Sequence, residues 1–454
     1  MITTKILRYN FIPAILGFLV FFSTGCDSGV DAVGDTESVT VSGQATENGS
    51  TQNNQRAGKT AESSEVLNSV EGAVVTAVAV HADGSVSTLE GETTTDANGE
   101  FTLMAEGEGA AEYIRVFAQG DGEFEASTIV QVDGRETVNS RPLTAESHAH
   151  ADIYLEAKSE DNSNSHYEGV TAADVSIFVN ADLAADINAR TESAADMGIA
   201  IANAVNAQIE YNTKAEAGID MNAIADARSD AYARFQSDLA AATDAEARTE
   251  AYANLEESYI NVFSENGANF ETQAQFNQTF TSILIEASGE ADGNAELNLR
   301  KQAELILSTT SALAIEEKFE AEGASEVTLD ALAEARTEVV ADIRQATSAK
   351  AIVDAKAEYK ASVDAETESH FNISSEMRTT AEGEINSSIN ALQNALINLS
   401  LFTNNVAEAT AEAFADFYLD AQVNAKTSFE ASGMAEAEAG AAASIVVMVR
   451  AIVA

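Results

Sequence analysis

The chain has 454 residues and carries 24 Lys+Arg against 74 Asp+Glu, a net charge of −50. Such a chain repels nucleic-acid phosphates, which are held by Lys and Arg, and it adsorbs poorly to anionic lipid without a covalent anchor. The single cysteine, Cys26, excludes an intramolecular disulfide and any cysteine-built zinc or iron–sulfur centre.

The length allows two or three domains. With 45% of residues apolar, folded domains with acidic surfaces are expected rather than a disordered polyanion. Ten Lys, no Trp and acid spread along the whole chain resemble a protein adapted to high salt, where screening weakens self-repulsion.

In chain order, Lys5 and Arg8 come first, then the apolar run from Phe11 to Phe22, then the small residues Ser23-Thr24-Gly25. That order is the pattern of a signal peptide, and the apolar run is well short of the roughly 20 residues that span a bilayer. Ser23-Thr24-Gly25 before Cys26 resembles a lipobox: Gly25 and Thr24 fit, while Ser23 departs from the usual aliphatic residue. The resemblance implies cleavage of residues 1–25, lipid on Cys26, and attachment to the cell envelope. The expected place is the outer membrane, facing periplasm or cell surface. Asp27 resembles an inner-membrane retention signal of some enteric bacteria, a rule that does not transfer between groups. Cleavage would remove Lys5 and Arg8 and leave −52. Residues 26–65 are polar and read as a flexible tether.

Residues 66–157 read as a small all-β sandwich. Val74 to Val80 is β-rich, and Asp83-Gly84, Asn98-Gly99, Asp121-Gly122 and Asp133-Gly134 are spaced turn signals. The intervening strands are expected at Glu100–Met104, Tyr113–Ala118, Glu123–Val132 and Ala149–Leu155. Val70-Glu71-Gly72-Ala73-Val74-Val75 and Thr95-Asp96-Ala97-Asn98-Gly99-Glu100-Phe101-Thr102-Leu103 resemble the carboxypeptidase regulatory-like domain, a transthyretin-like sandwich. The resemblance implies a non-catalytic spacer or assembly module, and no peptidase. Asp96 and Asn98 read as a turn rather than a calcium loop. On a strand, His148, His150 and Asp152 would share one face. With His166 nearby that arrangement could hold a metal, but polar surface is the preferred reading.

From 171 to 454 the chain is Ala-rich and reads as an acidic, all-α, elongated helical bundle. Met221, Ile224, Arg228, Tyr232, Phe235 and Leu239 form a helical stripe, as do Ile385, Ile389, Leu392, Leu396 and Leu399. The region also echoes itself, with repeats near 196–290 and 304–400. Ile224 to Asp230 matches Leu332 to Glu338 at an offset of 108, and Met197, Val205 and Tyr211 align with Leu305, Leu313 and Phe319. An internal duplication is expected. Thr243-Asp244-Ala245-Glu246 has capping-box spacing, which predicts a helix start. The Arg-Thr-Glu phrases at 248–250 and 336–338 read as solvated helix faces. The apolar residues from Ala441 onward predict a final core helix or strand.

No Gly-x-Ser-x-Gly elbow, phosphate loop, dinucleotide fingerprint or His-Glu-x-x-His is present. No catalytic residue, cofactor or metal ligand is therefore predicted, and Cys26 is the one site residue, for lipidation. The expected function is that of a non-catalytic, lipid-anchored envelope protein with a structural or interaction role and an envelope protein partner. A surface lipoprotein that binds a ligand or cation is the alternative, and an envelope enzyme using scattered carboxylates is the third reading.

Overall fold

The structure, a computed structural model, describes residues 36–48, 67–108, 111–120, 124–132, 134–160, 169–179, 181–188, 193–289, 294–397 and 406–453. Cys26, the segment before it and His166 lie outside the described residues. A strand-rich region comes first and a larger all-helical region follows.

The strands are β1 (Thr36–Gln44), β2 (Thr46–Asn48), β3 (Leu67–Ser69), β4 (Val74–Val80), β5 (Val86–Thr88), β6 (Thr93–Thr94), β7 (Glu100–Glu108), β8 (Tyr113–Gln119), β9 (Glu125–Gln131) and β10 (Thr137–Asn139). One sheet runs β10-β1-β7. A second runs β5-β4-β8-β9, with β6 also on β4, and β2 pairs with β3. Val41, Phe101 and Leu103 from the first sheet share one apolar cluster with Val75, Val116 and Val130 from the second. Asp96 to Gly99 form the expected turn. The Asp96 carboxylate accepts the Asn98 and Glu100 amides at 2.8 and 2.9 Å, and Gly99 takes φ +74°.

Two expectations fail here. Residues 36–48 are not tether: β1 is the central strand of its sheet, paired antiparallel to β7 and parallel to β10. Its alternation is short, with Val41 fully buried and Ser38 exposed. Thr and Val suit a pleated strand even in a polar stretch. The predicted strand over Ala149–Leu155 is instead part of helix α1 (Ala145–Glu160). A reciprocal cap starts it: Ser147 N–H donates to Thr144 Oγ1 at 3.1 Å, and Thr144 N–H donates to Ser147 Oγ at 2.7 Å.

The remaining helices are α2 (Ala172–Ser176), α3 (Ala181–Asn188), α4 (Ala194–Lys214), α5 (Met221–Ala241), α6 (Ala245–Glu265), α7 (Phe270–Ser288), α8 (Asn294–Ala321), α9 (Glu326–Gln345), α10 (Ala349–His370), α11 (Ser375–Leu396), α12 (Val406–Ala431) and α13 (Glu436–Val453). Side chains of Ser193, Asp220, Asp244, Asn269, Ser325, Ser348 and Ser374 cap successive helices by accepting first-turn amides. The cap of α6 is therefore Asp244, one residue beyond the predicted Thr243. At Gly198 a Cβ would lie 2.7 Å from the Ala157 backbone nitrogen, so glycine lets α4 close on α1. α13 carries the final apolar run into the core, with Ile445, Val447 and Met448 buried. Among the described residues no helix is long and apolar enough to cross a membrane.

The strand and helical regions are not separated by a linker, as boundaries at 157 and 171 would suggest. Every residue of β9 after Glu125 is buried, so its sheet needs cover on both faces. The β10-β1-β7 sheet covers one face, on the side of Val130, and helices α1 and α5 cover the other, on the side of Ile129. Tyr232 OH donates to Ile129 O at 2.7 Å, and Gln131 N–H donates to Gln236 Oε1 at 3.1 Å. Val80, Tyr113 and Ile129 belong to the same apolar cluster as Tyr154, Tyr232 and Phe235.

Candidate functional site

Because α1 is a helix, His148 and Asp152 share a face and His150 faces away. Ser127 Oγ lies 3.0 Å from His148 Nδ1, and His148 Nε2 lies 3.6 Å from Asp152 Oδ2. These are the residue types of a hydrolytic triad, but the arrangement does not permit attack on a carbonyl. Ser127 is fully buried, and Arg115 donates to its Oγ through Nε and NH2 at 3.0 and 2.8 Å. Arg115 NH2 also meets Asp152 Oδ1 at 2.5 Å. Burial lowers the His148 pKa below its ordinary value. The cluster pins α1 to β8 and β9.

His150 is fully buried and stacked on Tyr232, with ring centroids 5.7 Å apart. Its Nε2 lies 3.1 Å from Ala172 O and 2.7 Å from Ser176 Oγ. A carbonyl only accepts, so Nε2 carries the proton and Nδ1 is left bare, with no partner. Desolvation, then the nearby Arg141 charge, lowers the pKa to about 3. The three residues thus do not converge, and no group of three metal-ligating side chains occurs among the described residues.

A polar thread crosses the helical core. Buried Asp174 accepts Thr171 N–H at 2.8 Å, Thr171 Oγ1 at 2.7 Å and Tyr259 OH at 2.7 Å, and it pairs with Arg228 NH1 at 3.0 Å. Arg228 NH2 donates to Gln208 Oε1 at 2.8 Å, and Gln208 donates to Asn277 Oδ1 at 3.2 Å. Arg228 fits its predicted place on an inward stripe. Arg336, read as solvated, is only partly exposed and donates to Glu316 Oε1 at 2.7 Å. The thread ties α2, α4, α5, α6 and α7 together.

The open space lies elsewhere, in a cavity of about 480 Å³ formed by α7, α8 and α10 to α13. That volume is in the range of small-molecule sites. Ile283, Leu392, Phe414 and Ile452 give it apolar walls, and the exposed side chains of Val353 and Ile397 stand on its rim. Besides the exposed Glu286 and Gln393, and Thr281 and Ser282, which donate to Ala303 O and Thr279 O, the polar groups fall into two sets. Glu304 and Lys356 satisfy each other: both are buried, with Nζ 3.0 and 2.9 Å from the two carboxylate oxygens. Gln278 donates to Ala451 O at 2.8 Å and accepts from Tyr418 OH.

The second set is unsatisfied. Arg300 is half-buried, and its Nε has no hydrogen-bond partner. Thr410 is 1% exposed, and its Oγ1 has no partner either. Arg228, Arg336, Arg344 and Arg378 all reach carboxylates. Arg300 reaches none among the described residues, although acids outnumber bases three to one in this chain. Buried polar atoms are normally paired; these two belong to a set of twelve unpartnered side-chain atoms among the described residues that also includes Arg228 Nε and Arg450 Nε.

Sequence reasoning did not single out Arg300 or Thr410. The 3/4 spacing of Ile385, Ile389, Leu392 and Leu396 does place one cavity wall. The two unpaired groups come from α8 and α12, more than a hundred residues apart. Comparison with family models, curated proteins and solved structures returns no match.

Proposed function

We propose that this chain is a lipid-anchored, non-catalytic cell-envelope protein whose helical region binds a ligand in the cavity bounded by α7, α8 and α10 to α13. The observation that carries the binding reading is the cavity itself, whose apolar walls are joined by the half-buried Arg300, a cation that reaches no carboxylate among the described residues. The non-catalytic reading draws on the triad-like cluster among the described residues, where Ser127 is buried and held by Arg115 and so is not a free nucleophile.

The anchor rests on Ser23-Thr24-Gly25 before Cys26 and on the charge of the rest, which needs a covalent hold on an anionic membrane. Two sheets around one apolar core support a transthyretin-like sandwich acting as the spacer. An internal duplication of the bundle is supported by equivalent contacts. Arg228 meets Gln208 and Arg336 meets Glu316, both pairs standing 108 positions apart in the two repeats.

Labelling with palmitate tests the anchor: the native chain takes up label and Cys26→Ala does not, and equal uptake would refute lipidation. The binding reading predicts that protein purified gently from its own envelope releases a small molecule on denaturation. Leu396→Trp, which fills the cavity from a half-exposed helix end, should release much less. Equal release from both chains, or none from either, would refute binding at this place.

A further inference from the structure

Resting on the ligand-binding reading above, we infer that the cavity takes a single-chain amphiphile with an anionic head, its carboxylate or phosphate on Arg300 and its hydrocarbon tail along the apolar walls. Two observations point to that chemistry.

The first is charge. Of the two cations lining the cavity, Lys356 is held by both oxygens of Glu304, so its charge is spent within the protein. Arg300 is left with an unpaired Nε and no carboxylate among the described residues. A guanidinium is a fork of donors matched to carboxylate or phosphate oxygens. A cationic ligand would meet Arg300 with like charge, and the carboxylates lining the cavity are Glu304, held by Lys356, and Glu286, on an exposed position. A neutral oxygen would accept from Arg300 without meeting its charge, a weaker contact than an anion makes.

The second is the wall. Ile283, Leu392, Phe414 and Ile452 offer hydrocarbon and no further charge, and Val353 and Ile397 extend that surface to the rim. A small inorganic anion would leave this surface wet, whereas an acyl tail would cover it.

The overall charge of −50 makes the site selective in a particular way. Long-range repulsion slows anions in solution, so the ligand's attraction must come from the local guanidinium and the apolar tail together. Neither part alone is expected to bind well. A carboxylate-headed and a phosphate-headed amphiphile share this chemistry, and the titration separates them.

The test is calorimetric titration of the full chain with dodecanoate, kept below its micelle-forming concentration, at fixed ionic strength. Parallel titrations use dodecyl phosphate, dodecanol, dodecyltrimethylammonium and acetate. Saturable binding of dodecanoate or dodecyl phosphate at one site per chain is expected, and the tighter of the two identifies the head. Dodecanol should bind roughly tenfold or more weakly, since it lacks the charge-assisted contact, and acetate and the cation should not bind. Arg300→Met should bring the anions down to the level of dodecanol while leaving dodecanol unchanged.

Circular dichroism checks that this variant is folded. If it is not, Arg300→Gln and Leu396→Trp serve instead, the first selective for the head and the second abolishing all binding. Unchanged anion affinity in the Arg300 variants would overturn the inference, as would equal binding of the cation or no saturable binding by any amphiphile. Should the molecule released from the native protein prove neutral or cationic, the binding reading stands and the anionic class falls.

Discussion

Asp174→Ala should destabilise the fold by about 3–5 kcal/mol, the cost of stranding a buried charge partner. Asp174 is fully buried and serves four hydrogens from Thr171, Tyr259 and Arg228. Removing it leaves the Arg228 guanidinium in the core, stacked over Tyr259 at 4.7 Å, with only Gln208 to hold it. It also removes the acid half of the capping box that starts α2. Urea unfolding measures the loss. The double variant Asp174→Ala with Arg228→Met should cost clearly less than the two single changes added together, because the second removes the stranded charge. Additive costs would mean that the pair does not act as a unit.

Acid should weaken the fold through His150. The unfolded imidazole has a pKa near 6.5, and in the folded chain it is lowered to about 3, first by desolvation and then by Arg141. Between those values the unfolded state binds the proton and the folded state does not. The His150 contribution is therefore fully present above about pH 6.5. It is lost as pH falls towards 3, at about 1.4 kcal/mol per pH unit and on the order of 3 kcal/mol by pH 4. Carboxylates titrate in the same range, so the informative quantity is the difference between the native chain and His150→Gln, whose amide still donates towards Ala172 O. That difference should shrink by about 1.4 kcal/mol per unit from pH 6 to pH 4. A difference that stays flat would mean the imidazole is not held neutral.

The strands β4, β7, β8 and β9 were legible because Val, Ile and Phe recur between turn signals, and at Gly84 and Gly99 the turns take φ > 0 as such dipeptides allow. The long helices were legible from Ala content and 3/4 spacing. β1 was not, because its Val residues are few and the Ser and Thr between them look like linker. α1 was misread because His148-Ala149-His150-Ala151-Asp152-Ile153 alternates polar and apolar residues, a strand pattern, while Ala carries little directional information. The better signal was Pro142-Leu143-Thr144-Ala145-Glu146-Ser147: a helix breaker, a cap and an acid in the first turn. The cavity was legible only in fragments. Its walls are assembled from six helices, and whether an arginine is paired depends on partners distant in sequence. Glu304 and Lys356 sit 52 residues apart, and nothing local distinguishes that lysine's satisfied charge from the unsatisfied one on Arg300.

An anchored chain that carries a ligand in its helical region has a distinctive mass, which native mass spectrometry of the chain taken from its own envelope reads. The prediction is a chain beginning at Cys26, with the mass of attached lipid and of one further small molecule, and with that last increment missing in Leu396→Trp. A mass equal to the polypeptide alone, or a small-molecule increment that persists unchanged in Leu396→Trp, would contradict it.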